Sequence, residues 1–132
     1  MFKVSAAAIA CLLTACEPEL GPNGIPIAGD GALACGQPAA PIHALQGNQA
    51  MSPVVGDVVE VEARVSAKFM DGLGGFYLVS EPGSEDQDAA SSEGLFVRYA
   101  EPLKTPVGTR VRVRGTVAEL GPAPDTQTAL IE

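Results

Sequence analysis

Residues 56–80, GDVVEVEARVSAKFMDGLGGFYLVS, constrain the fold more than any other stretch. Val59, Val61, Ala63 and Val65 alternate with Val58, Glu60, Glu62 and Arg64. A period of two is that of a strand with one buried and one wet face, because successive side chains leave a pleated strand on opposite sides. Asp71-Gly72 and Gly74-Gly75 then break the run where the chain must reverse, and Phe76 to Val79 restart it. This predicts a hairpin whose first strand, placed within residues 53–69, is long enough to bend and serve both halves of a small barrel.

Further strand signals follow. Residues 95–99 read LFVRY, with Leu95, Val97 and Tyr99 on one face and Phe96 and Arg98 on the other. Residues 109–120 alternate Val111, Val113, Gly115 and Val117 with Arg110, Arg112, Arg114 and Thr116, so the valines point into a core and three arginines line an outward face. Pro102 and Pro106 limit residues 100–108 to at most a single helical turn. Residues 127–132 begin a fifth strand and the chain then stops, which suggests a fragment or a truncated reading frame and a barrel left open beside its first strand. Residues 42–45 are expected to form a short leading strand before a Gly47-Asn48 turn. With 15 glycines, 11 prolines and no tryptophan, the composition agrees with short strands and turns. Five strands with a long bent first strand, a glycine-rich first hairpin and a basic fourth strand indicate an all-β class, an OB-fold-like five-stranded barrel over residues 41–132.

The chain before residue 41 reads differently. Residues 1–15, MFKVSAAAIACLLTA, carry one early lysine, an apolar run and small residues, the pattern of a signal peptide; about 20 apolar residues would be needed to span a membrane. Leu13-Thr14-Ala15-Cys16 resembles the bacterial lipobox, in which the cysteine is acylated and becomes the mature N-terminus. That resemblance implies lipidation of Cys16 and a membrane partner through the lipid. Glu17 in the next position, where inner-membrane lipoproteins carry Asp, implies the outer membrane of a Gram-negative envelope; plain secretion is the alternative. Residues 16–40, rich in Pro, Gly and Ala, read as a flexible linker. Cys35 lies in it as an odd thiol, left to pair with another chain, to pair with sequence missing from this one, or to stay free.

Catalytic motifs are missing. There is no G-x-S-x-G, H-E-x-x-H, C-x-x-C or phosphate-binding G-x-x-x-x-G-K-[ST], and His43 is the single histidine. No metal set is read from sequence: His43 is taken as a surface or capping residue. The carboxylates of residues 81–94 (Glu81, Glu85, Asp86, Asp88, Glu93) are taken as a solvated loop, because their spacing is not that of an EF-hand. The net charge of −8 repels nucleic acid at long range, or simply keeps a secreted protein soluble, so nucleic-acid binding would need a locally basic patch. Arg98, Arg110, Arg112 and Arg114 are the candidates for it; the competing reading pairs the strand arginines with Glu60 and Glu62 across the sheet. Since Glu60 and Glu62 share the outer face of the first strand, any binding is expected on the second and third strands, the arginine strand or the adjoining loops.

The ordered set Ile42-His43-Ala44-Leu45-Gln46-Gly47, Gly56-Asp57-Val58-Val59-Glu60-Val61, Gly74-Gly75-Phe76-Tyr77-Leu78, Gly94-Leu95-Phe96-Val97 and Gly108-Thr109-Arg110-Val111-Arg112-Val113-Arg114-Gly115 resembles the OB-fold-like domain that precedes the endonuclease/exonuclease/phosphatase domain of bacterial extracellular nucleases. The resemblance implies an accessory module that contacts DNA or RNA beside a metal-dependent nuclease domain encoded downstream. It implies no cofactor for this chain, a divalent cation only for that associated domain, and a partner there for Cys35. The catalytic His, Asp and Asn of the nuclease domain have no matching positions. The alternative is a non-enzymatic envelope OB-fold lipoprotein that binds a protein, a glycan or a cation.

Overall fold

The structure, a computed structural model, describes Ile25, Leu33 and residues 36–132. The expected signal peptide, Cys16 and Cys35 lie outside the described residues. A one-turn helix α1 (Ile42–Gln46) precedes five strands: β1 (Val58–Phe69), β2 (Gly75–Val79), β3 (Gly94–Arg98), β4 (Arg110–Leu120) and β5 (Gln127–Ile131). They close into a barrel in the order β1-β2-β3-β5-β4, with β4 returning to β1. Every pairing is antiparallel except β3 with β5. This is an OB-fold-like five-stranded barrel.

β1 joins both halves because it bends. Val58 to Arg64 pair with β4, from Val58 opposite Thr116 to Arg64 opposite Arg110. Arg64 to Phe69 pair with β2, and the register shifts between Val65 and Ala67. The unpaired residue is Ser66, a bulge of the kind that re-aims a strand and sharpens its twist. The inward residues of β1, β3 and β4 are among those that the alternation indicates: Val59, Val61, Ala63 and Val65, then Leu95 and Val97, then Val113 and Val117; β2 adds Phe76 and Leu78, and β5 adds Leu130.

Two expectations are corrected. The fifth strand does not leave the barrel open: its five residues reach both neighbours, with Phe96 to Arg98 beside Ala129 to Ile131 and Thr116 to Leu120 beside Gln127 to Ile131. Residues 42–45 form a helix, not a strand. Ile42 and Leu45 sit one helical turn apart, the spacing that places them on one face, and both are buried in the core where β3 begins. Gly47 ends the turn at φ +64°, a conformation that favours glycine, and its N–H donates to the His43 carbonyl at 2.9 Å. The residues just before the helix contact the barrel as well. Ala40 is buried and its N–H donates to the Glu60 carbonyl at 2.8 Å, so contacts with the barrel begin before residue 41.

Candidate nucleic-acid interface

The arginines of β4 face the glutamates of β1 by register: Glu60 is opposite Arg114, Glu62 opposite Arg112 and Arg64 opposite Arg110. Outward side chains at paired positions are near enough to meet, and here they form a ladder. The Arg112 guanidinium donates to Glu60 at 2.6 Å and Glu62 at 2.9 Å; Arg114 reaches Glu60 at 2.6 Å, and Arg110 pairs with Glu62. The incoming chain then roofs the ladder. Arg112 donates to the carbonyls of Gln37 at 2.7 Å and Pro38 at 2.6 Å, and the Gly36 N–H donates to Glu62 at 2.8 Å. The Arg112 side chain is left 4% exposed, and Arg110, at 54%, is the outermost of the three. Their charge is engaged by carboxylates, as the cross-strand reading of the sequence had it.

The carboxylates respond to this setting. Burial alone would push the Glu60 and Glu62 carboxyls up, but hydrogen bonds and charge from Arg112 and its neighbours, with the Gly36 N–H on Glu62, hold both below the ordinary value. Burial also raises Glu119, and again hydrogen bonds win: the Thr128 hydroxyl and the Ser52 N–H hold it low, at 2.7 and 2.8 Å. A carboxyl whose folded pKa is depressed contributes stability that is present above its unfolded pKa and lost as pH falls through the folded one. Urea midpoints are therefore expected to hold steady near neutral pH and to fall once pH drops below the ordinary glutamate value of 4.5. Glu119→Gln should lessen that slope.

Arg98 lies elsewhere, on the outer face of β2 and β3. Alternation points Tyr77 outward from β2, and Phe96 and Arg98 outward from β3. Phe69, at the end of β1, meets the Tyr77 ring edge-on with centroids 5.9 Å apart, and Tyr77 meets Phe96 at 5.1 Å. Phe96 is buried, Tyr77 half-buried and Phe69 exposed. The Gln127 side-chain amide donates to the Tyr77 hydroxyl at 2.8 Å. Leu73 from the β1–β2 turn and Leu120 at the end of β4 complete a depression of about 230 Å³ that holds no carboxylate. Among the described residues, Arg98 makes no ion pair. The structure thus separates the four candidate arginines, three in the ladder and one beside a row of aromatic rings.

The aromatic row was legible only in part. The sequence shows the residues, but the placing of Phe69 and Leu73 beside Tyr77 depends on the bulge in β1. A second grouping gave no sequence signal at all: His43 of α1 meets Asp86 and Glu93 of the β2–β3 loop, with ligand atoms all within 4.8 Å of one another. The chain matches no protein-family model, no curated protein and no solved structure.

Proposed function

We propose that this chain is a non-catalytic binding module, tethered to the bacterial envelope through Cys16, that presents the β2–β3 face of its barrel to an unpaired nucleic-acid strand. The carrying observation is the Phe69–Tyr77–Phe96 row bordered by Arg98. In OB-folds this face and the loops beside it take up oligonucleotides. The exposed Phe69 ring and the half-buried Tyr77 ring offer stacking surface to any base, and Arg98 supplies a cation for a phosphate. The resemblance to the accessory domain of extracellular nucleases supports the same reading, with a metal-dependent nuclease domain as the proposed partner. The overall charge of −8 makes the binding weak and short-ranged.

Fluorescence anisotropy with a labelled oligothymidylate tests this. Stacking is worth roughly 1–3 kcal/mol per base, so Tyr77→Ala should weaken binding by about tenfold or more, and Phe69→Ala should also weaken it. Arg98→Ala should lower both the affinity and its dependence on salt. Arg110→Ala should leave binding unchanged, because Arg110 belongs to the ladder. Equal binding by wild type, Tyr77→Ala and Arg98→Ala would defeat the proposal. The engaged arginines and the acidic balance favour a second reading, an envelope lipoprotein of the same fold that takes a protein, glycan or cation; no oligonucleotide binding at low salt would select it.

A further inference from the structure

The geometry points to a divalent metal site on the opposite side of α1 from the core, formed by His43, Asp86 and Glu93. The set is mixed, one imidazole and two carboxylates, gathered from a helix and a loop far apart in the chain. Their ligand atoms lie within 4.8 Å of one another. A single ion with bonds of about 2.0–2.2 Å would join them with a modest inward movement of the exposed Asp86 carboxylate.

An independent observation concerns the imidazole. His43 Nδ1 is enclosed by protein and makes no hydrogen bond; its nearest carboxylate oxygen, Glu93 Oε1, lies 3.2 Å away. An enclosed ring nitrogen that faces a carboxylate oxygen without a hydrogen bond is a donor that a cation held between the two would satisfy. The carboxylates are already aimed. The Ser91 hydroxyl and the Asp88 N–H hold Asp86, while the Ser80 hydroxyl and the Asp86 N–H hold Glu93. Such outer contacts orient metal ligands and are part of many sites.

The donor set selects the ion. Calcium takes six to eight oxygens, more than these side chains offer, and its sites rarely include imidazole. One nitrogen and two carboxylates suit a first-row divalent ion of the Zn²⁺ or Mn²⁺ kind, with water completing the shell. Bound there, the ion would tie α1 to the loop that leads into β3, beside the existing bond from the Gln46 amide to the Gly94 carbonyl at 2.6 Å. It would act on stability and is independent of the nucleic-acid face.

The test is metal binding by the full chain. Mn²⁺ is followed by the loss of its free electron-spin signal, which keeps the thiols from dominating, and Zn²⁺ by calorimetry. One Mn²⁺ per chain is expected. At a metal concentration a hundred times Kd the thermal midpoint should rise by about 10 °C, and Ca²⁺ should give no rise. Asp86→Asn, in an exposed loop where folding is not at stake, should abolish both binding and shift, as should His43→Gln. Mn²⁺ that stays free at millimolar concentration would overturn the inference. So would metal binding unchanged in Asp86→Asn, which would place the ion elsewhere, the cysteines included.

Discussion

Replacing Arg112 by methionine is expected to destabilise the protein by about 3 kcal/mol, the low end of the range for removing one partner of a buried ion pair. Arg112 is the hub of the β1–β4 ladder. It donates to both Glu60 and Glu62, and also to the carbonyls of Gln37 and Pro38. Methionine fills much of the same space but leaves those four acceptors without their donor. The loss stays below the upper end because Glu60 keeps Arg114 and Glu62 keeps Arg110. Urea unfolding of Arg112→Met against wild type measures it. Arg110→Ala is the control: its side chain is half exposed, and exposed pairs are worth about 1 kcal/mol or less. Equal stability of the two variants would show that the ladder does not hold the incoming chain to the barrel.

Gly75→Ala should be comparably damaging, at about 3 kcal/mol, the upper part of the overpacking range. A Cβ at Gly75 would lie 2.1 Å from the Val97 carbonyl oxygen and 2.6 Å from the Phe96 ring. The first contact is with backbone, so β2 and β3 would have to separate at the pair Gly75–Arg98. The second would lift Phe96 from the strand and disturb its contact with Tyr77. The variant should therefore show a lower urea midpoint and, in whatever fraction remains folded, weaker oligonucleotide binding. Gly72→Ala, with nothing near its Cβ, should leave both unchanged. If Gly75→Ala matched Gly72→Ala, the close packing of Phe96 over β2 would be refuted.

These two residues show where sequence reading works and where it stops. The alternation in β1 and β4 identified which residues face inward, because a strand has only two faces and the valines must take the dry one. It therefore also identified Arg110, Arg112 and Arg114 as one outward row. It left open what that row meets, since a row of arginines looks the same opposite phosphate or opposite glutamate; the pairing of Glu60 with Arg114 and Glu62 with Arg112 decides it. Gly74 and Gly75 read together as a turn. Gly74, at φ +65°, serves that purpose, whereas Gly75 lies in β2 and makes room for Phe96. Residues 42–45 carry no decisive period, because four residues are too few to separate a period of two from one of 3.6. Ile42 and Leu45 become a helical pair only when the barrel end offers a place to bury both.

What the sequence by itself determined is the local periodicity: an all-β barrel, the inward valines, the breaks between strands and the bend expected of a long first strand. Those follow from backbone geometry and the burial of apolar side chains, which act over a few residues. What only the tertiary structure decided is which distant residues meet. β5 closes the barrel between β3 and β4, Glu60 and Glu62 engage the arginines, Phe69 joins Tyr77, and His43 comes to Asp86 and Glu93. Each of these depends on strand register and on the path of the chain around the barrel, and neither leaves a period in the sequence.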